Sequence, residues 1–439
     1  MVKVIDLTGC EDADQSIAQR RRLHEDEPND LLCPISGVMF RDPVVLLASG
    51  ITFDRQAIEE WLSKGKLTCP VTRVPVTSDN VVLTNFTARG SVERWLRENS
   101  DRTPEGWNTR EMLPPTHPQH GVLRTWRAMC PALQEIWPET AKPELWRGVT
   151  IKKSRVVELY LENFGLTGAL PAEVGRLSAL ESLHLSENQL TSLPAEIGQL
   201  TSLKELELYN NKLTSLPPEI GQLRSLERLD LCYNQLTIVP ADIGQLTSLT
   251  ELHLFGNKLT GVPPEIGQLT LLVLLCLGDN QLTSVPQEIG HLTSLTELHL
   301  NNNKLTSLPP EIGHLTALRE FLLNNNKLTS LPPEIGHLRA LEYLYLENNQ
   351  LTSVPPEIGQ LTALRKLSLH KNQLTSVPTE IGQLTALKTL QLHNNQLTSL
   401  PAEIGQLTAL TELSLDNNQL TSVPTEIGQL TALRNLYLA

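Results

Sequence analysis

The sequence contains no apolar run of the roughly 18 to 20 residues needed to cross a bilayer. The nearest, Leu271 to Leu277, is short and lies inside a repeat, so a soluble chain is expected. Positive charge is also scarce: 36 Lys and Arg stand against 49 Asp and Glu, a formal net charge of -13. General affinity for nucleic acid or anionic membrane wants a cationic surface. Neither is therefore expected as a partner, and protein is. The opening "MVKVIDLTGCEDADQ" meets acidic residues before any apolar stretch long enough for a signal-peptide core. The 6 cysteines, Cys10, Cys33, Cys69, Cys130, Cys232 and Cys276, lack the dense spacing of a disulfide framework. Both features suit a reducing compartment, so a cytoplasmic location is expected, with the nucleus equally open.

What is present falls into blocks. Residues 1–27 are polar and switch charge sign within "AQRRRLHEDEPND", the composition of a disordered tail. Residues 28–100 read as a small globular domain ending in "SVERWLREN", whose Val92, Trp95 and Leu96 share one helical face. Residues 101–130, opening with "DRTPEGWNTREMLPPTHPQHG", are rich in Pro, Gly and polar side chains and read as a linker.

From there the chain is periodic. Asparagine recurs at 188, 211, 234, 257, 280, 303, 326, 349, 372, 395 and 418, within units such as "LKELELYNNKLTSLPPEIGQL" (203–223). In each unit two leucines, such as Leu206 and Leu208, alternate with polar neighbours, the period of a half-buried strand. The asparagine that follows marks the turn out of the strand. Its amide both donates and accepts, so stacked asparagines can satisfy backbone groups that the bend leaves unpaired. "LTSLPPEIGQL" then breaks the strand with Pro and supplies Leu and Ile to fill the space behind it. One unit cannot bury these side chains, but stacked units can.

The repeat matches the pattern L-x-x-L-x-L-x-x-N-x-L and resembles the leucine-rich-repeat family, which implies a curved α/β solenoid over residues 169–439. Residues 131–168, with Trp137, Trp146 and Phe164 at the first ladder position, resemble the amphipathic N-terminal cap of plant-type members together with a first repeat. At the other end the sequence stops just after a strand. An open edge there implies either a truncated gene model or cover by self-association or a partner.

Between Leu31 and Asn99 there are two Cys-Pro pairs, Cys33-Pro34 and Cys69-Pro70, and no histidine. A cross-braced two-zinc module needs about eight Cys or His ligands, so no metal is expected here. The landmarks "CPISGVMFRDPVVL" (33–46), "SGITFDRQAIEEWL" (49–62), "TCPVTRVPV" (68–76) and "LTNFTARGSVERWL" (83–96) resemble the U-box family, a small RING-like fold that has lost its zinc. Loops without metal must be held by hydrogen bonds and ion pairs. Ser36, Asp42, Ser49, Thr52, Asp54, Arg55, Thr72 and Asn85 are suited to that task, and several of them are expected to be buried and paired. The sequence departs from the family at Thr84-Asn85, where a Pro-Asn pair is usual, and at Ala88 and Ser91, where leucine is usual.

The resemblance implies a ubiquitin ligase with no covalent intermediate and no cofactor. It would dock a conjugating enzyme charged with ubiquitin and promote direct transfer to a substrate lysine by proximity. It further implies that Ile35, Trp61 and Pro70 form the apolar docking patch and that Arg73 promotes transfer by bonding ubiquitin and conjugating enzyme together. A guanidinium is suited to that by its rigid fork of donors. Composition alone leaves Ile35 and Trp61 equally fit for a core and Arg73 for an ordinary surface residue. Cys33 and Cys69 read as small packing residues.

In each repeat the residues two, four and six before the ladder asparagine alternate away from the leucine core. They include Tyr160, His184, Tyr209, His253, Phe255, His299, Tyr343, Tyr345, His370, His393 and Tyr437. Amphipathic aromatics on a rigid surface suit protein recognition. Of these, Tyr209, His253, Phe255, His299, Tyr343, Tyr345, His370 and His393 are the expected substrate-binding face. About twelve strands spaced by roughly 4.8 Å give an inner arc on the order of 55 Å. His291, His314 and His337 fall at the convex "IGHL" position and are not expected to be ligands, and no metal site is expected anywhere on the repeats. The functional expectation is a ubiquitin ligase whose repeats recruit a protein substrate. Two rivals remain open: a recognition or signalling scaffold with a degenerate U-box, or repeats that serve self-assembly while the ligase modifies itself.

Overall fold

A 23-residue period leaves the chain one packing problem to solve repeatedly, and its computed structural model shows the solution. The structure describes residues 33–34, 43–46, 51–54, 57–59, 62, 68–72, 75, 82–84, 118–138, 141, 143–153 and 155–438. Two compact units divide at Thr125/Trp126.

In the first unit, β1 (Pro43–Leu46) is the centre of an antiparallel sheet in the order β2-β1-β3, with β2 at Ile51–Asp54 and β3 at Val82–Thr84. Val44 stands opposite Phe53, and both are buried. Residues 57–59 and 62 are helical, and Ile58 joins the core with Cys33 and Cys69. Thr68 bridges to Pro75, closing the loop that carries Cys69 and Pro70.

Helix α1 (Pro118–Met129) occupies residues that composition assigns to a linker. Proline at its first position suits helix initiation, and Val122, Leu123 and Trp126 are buried on one stripe. The Pro-Gly content masks this short apolar period. After α2 (Pro131–Ile136) the Trp126, Trp137 and Trp146 rings form one cluster. Trp137 meets Trp126 edge-on at 6.2 Å and stacks on Trp146 at 4.8 Å. Two of the indole N–H groups are visibly satisfied: Trp137 Nε1 donates to Arg147 O at 2.9 Å and Trp146 Nε1 to Pro138 O at 3.0 Å. Strand β4 (Val149–Lys152) then pairs antiparallel with β5 (Arg155–Tyr160) and covers that edge of the repeat sheet.

Beyond β5, one short strand per repeat adds in parallel. The 14-stranded sheet runs β4, β5, β7 (Ser182–His184), then β9 (Glu205–Glu207), β10 (Arg228–Asp230), β11 (Glu251–His253), β12 (Leu274–Cys276), β13 (Glu297–His299), β14 (Glu320–Leu322), β15 (Tyr343–Tyr345), β16 (Lys366–Ser368), β17 (Thr389–Gln391), β18 (Glu412–Ser414) and β19 (Asn435–Tyr437). The remaining strands, β6 (Thr167–Ala169) and β8 (Gln189–Ser192), pair with each other. From β7 to β19 the register is uniform, residue n facing n + 23, for example Leu298 opposite Phe321; β5 meets β7 one residue further on, Glu158 opposite Ser182. On the opposite side each repeat makes a five-residue 3-10 helix preceded by an extended proline, such as Pro310–His314 after Pro309. Leu298, Leu300, Leu305, Ile312 and Leu315 fill the space between.

The ladder asparagines do what their residue type predicts. Asn303 Oδ1 accepts the N–H of Leu282 in the preceding repeat at 2.9 Å. Its Nδ2 donates to Leu277 O in that repeat at 3.0 Å and to its own Leu300 O at 3.1 Å. Each asparagine thereby ties two repeats together while closing the turn. The preceding residue is left-handed throughout, as at Asn302 (φ 56), Asn325 (φ 57) and Asn348 (φ 56). Asparagine tolerates that region through local side-chain bonding, and Gly256 (φ 69) fits it with no Cβ. No helix among the described residues is long and apolar enough to cross a membrane.

Candidate functional site

In the first unit the sulfurs of both Cys-Pro pairs accept backbone hydrogen bonds. Cys33 Sγ accepts the backbone N–H of Asp54 at 3.2 Å, tying the start of the domain to the end of β2. Cys69 Sγ accepts from Thr72 N at 3.5 Å, within the turn that begins at Pro70. Both sulfurs are buried, so beyond packing each satisfies a backbone donor. Pro70 is half-buried beside that turn, Thr52 is half-buried, Asp54 is buried and Thr72 is exposed. Ile35, Trp61 and Arg73 lie outside the described residues, as do Ser36, Asp42, Ser49, Arg55 and Asn85.

On the repeats, alternation along each strand buries the middle leucine and turns its neighbours to the concave face. All eight expected recognition residues, Tyr209, His253, Phe255, His299, Tyr343, Tyr345, His370 and His393, are half-buried there. Register gathers them in groups. Tyr209 and Phe255 each pack edge-on against Tyr233, at 5.5 and 5.4 Å. Strict alternation points Tyr233 away from this face, and its left-handed backbone (φ 52) reverses that. The sequence signal was available: an aromatic stands at a turn position filled elsewhere by Asn, Asp, Glu, Lys or Gly. At the start of the sheet Tyr160 stacks on His184 at 4.4 Å. Further along, Tyr343 and Tyr345 flank the buried Leu344, and Lys366 Nζ lies 4.8 Å from the Tyr345 ring centroid. His370 stacks on His393 at 4.3 Å, with Ser368 Oγ 3.1 Å from His370 Nδ1.

Burial first, then His393, Lys371 and Lys366, pull the His370 pKa from the usual 6.5 down to about 4. The unfolded chain therefore binds a proton that the folded chain refuses between those values. Stability should fall as pH drops from about 6.5 towards 4. Thermal midpoints against pH check this: His370→Gln is expected to flatten the acid limb, and an unchanged limb would assign it to other groups.

The face is strongly acidic. From β9 to β16 it carries Glu205, Glu207, Asp230, Glu251, Glu297, Glu320 and Glu347 against Arg228 and Lys366. Arg228 is already engaged by Glu207, Asp230 and Glu251. Glu297 faces Glu320 across the ladder, and burial together with Glu297 raises the Glu320 pKa. Glu347 Oε2 is shielded from solvent and has no hydrogen-bond partner. The register also assembles metal-ligand types from neighbouring repeats: Asp230, Cys232 and His253 form one group, and Glu297, His299 and Glu320 another. The convex His291, His314 and His337 are exposed at the ends of their 3-10 helices.

Comparison with known proteins matches these two regions to separate families. Residues 28–101 match the U-box domain. Leucine-rich-repeat families match residues 153–261 and 357–439, 270–312, and 293–351 with 316–374. The chain is 40% identical over 78 residues to the putative E3 ubiquitin-protein ligase LIN-1 of Lotus japonicus, covering 18% of this chain and 5% of that protein. It is 43% identical over 75 residues to the E3 ubiquitin-protein ligase PUB24 of Arabidopsis thaliana, covering 17% and 16%. The chain thus spans only a small fraction of the curated relatives it matches. Among solved structures, an LRR protein of Leptospira interrogans is 47% identical with a TM-score of 0.57, over 61% of this chain and 70% of that one. The Arabidopsis receptor kinase HAESA, solved with the peptide hormone IDA and the co-receptor SERK1, is 28% identical with a TM-score of 0.55, over 73% and 65%.

Proposed function

From a chain that belongs to the leucine-rich-repeat proteins and carries a U-box domain at residues 28–101, we propose a ubiquitin ligase with its own substrate-recruiting face. The U-box docks a conjugating enzyme charged with ubiquitin, through Ile35, Trp61 and Pro70. Arg73 holds the thioester and ubiquitin in a reactive arrangement, and a substrate lysine attacks directly. Proximity and orientation supply the rate enhancement, with no acid, base or nucleophile from this chain. The repeats hold the substrate on the concave face. The observation that carries the reading is the union in one chain of a U-box with a rigid, regularly spaced face of half-buried aromatic and acidic side chains. The excess of carboxylates there favours a substrate segment rich in Lys or Arg.

The test is reconstitution with ubiquitin, activating enzyme, ATP and a panel of conjugating enzymes. Chain formation is expected with at least one of them, and silence across the panel would favour a non-catalytic scaffold. Trp61→Ala should weaken conjugating-enzyme binding by about 30-fold, the ~2 kcal/mol of an aromatic anchor, and Ile35→Ala should act in the same direction. Arg73→Ala should leave binding within about twofold, below ~0.5 kcal/mol, and slow discharge of the thioester. Equal loss of binding in all three variants would remove the role given to Arg73.

A further inference from the structure

We propose that the concave face holds a binding site for zinc or a similarly thiophilic divalent cation at Asp230, Cys232 and His253. The three together match no familiar metal-motif spacing, because the sheet register brings His253 to Asp230 and Cys232 from the next repeat. Asp230 on β10 stands directly opposite His253 on β11, and Cys232 follows Asp230 by two residues on the same face. Their donor atoms all lie within 4.8 Å of one another. Small side-chain movements bring such a set to zinc, whose bonds to sulfur, nitrogen and oxygen are about 2.0 to 2.3 Å long. Thiolate, imidazole and carboxylate together favour zinc and disfavour calcium or magnesium, which prefer all-oxygen shells.

The surroundings fit the same reading. The Cys232 N–H donates to Asp230 Oδ1 at 2.9 Å and fixes the carboxylate. His253 Nε2 lies 3.2 Å from Glu251 Oε2, the imidazole–carboxylate pairing that orients ring ligands at metal centres. Cys276 faces His253 from β12 and brings a second buried thiol beside the group. The Cys232 thiol supplies the soft ligand of the set. On binding, the S–H bond breaks, its proton passes to solvent and the sulfur lone pair forms the S–metal bond.

The test uses the full chain, first stripped with chelator, with Zn2+ alone and Co2+ alone as probes. Calorimetry in buffers of different ionisation enthalpy should show one equivalent of Zn2+ bound with net proton release. Co2+ should give a thiolate-to-metal charge-transfer band in the near ultraviolet. Cys232→Ser should abolish that band and weaken Zn2+ binding by about 100-fold, with Asp230→Asn and His253→Gln weakening it independently. A chain that binds no Co2+ through sulfur would overturn the proposal. So would Zn2+ uptake that survives Cys232→Ser and disappears in His299→Gln, which would place the cation at Glu297, His299 and Glu320.

Discussion

Gly313→Ala is expected to destabilise the repeat domain by about 2 to 3 kcal/mol, the range of an overpacked core, while the chemically identical Gly428→Ala stays within about 0.5 kcal/mol. Gly313 lies in the 3-10 helix Pro310–His314, where the backbone of the next repeat presses against it. A Cβ at Gly313 would sit 2.6 Å from Glu334 O and 2.8 Å from Glu334 Cβ. Neither atom is the free end of a flexible side chain, so the two repeats must separate, and separation loosens the leucine contacts between them. At Gly428 nothing lies within 4 Å of the same Cβ. Helix propensity, chain entropy and side-chain chemistry are matched between the two substitutions, so their difference isolates the contact between repeats. Urea unfolding followed by circular dichroism measures it. Equal midpoints for the two variants would mean that the glycine is conserved along the array for a reason other than close approach.

Gly313 also shows what a reader of the sequence could and could not see. The period, the strand positions, the asparagine turn and the buried leucines follow from residue type and spacing alone, because every repeat presents the same evidence. Leu298, Leu300 and Asn303 lie where alternation and turn chemistry place them. Single-copy features are harder. Helix α1 lies in Pro-rich sequence, and the apolar stripe of Val122, Leu123 and Trp126 is too short to outweigh the composition. Tyr233 reaches the concave face through a left-handed backbone that a two-residue alternation cannot express. The group of Asp230, Cys232 and His253 becomes visible only when the sequence is stacked at its period and read across the repeats. In the U-box the reverse holds: the landmarks are plain in sequence, while Ile35, Trp61 and Arg73 take their roles from the family resemblance rather than from contacts.

The same stacking logic makes Asn303→Ala the more damaging of two matched asparagine changes. Asn303 is buried, and its amide makes four bonds: from Leu282 N, and to Leu277 O, Leu300 O and Asn301 O. Asn418 makes the corresponding bonds with Leu397 N, Leu392 O, Leu415 O and Asp416 O, but is only half-buried. Alanine at 303 strands a backbone donor and acceptors away from water, at about 1 to 3 kcal/mol for each group left unsatisfied. A total near 4 kcal/mol follows even if only two of them fail to find a partner. At 418 water can replace the amide, and about 1 kcal/mol is expected. In a solenoid whose stability is a sum of repeats and nearest-neighbour interfaces, a loss of that size at one interface divides the array. Asn303→Ala should therefore change the shape of unfolding, with two separated transitions in urea where the parent chain gives one, and Asn418→Ala should only shift the midpoint. The break falls between the Tyr209, Tyr233 and Phe255 cluster and the Tyr343 to His393 stretch. A ligand that spans both should lose affinity in Asn303→Ala under conditions where each half remains folded, and one held by a single half should not.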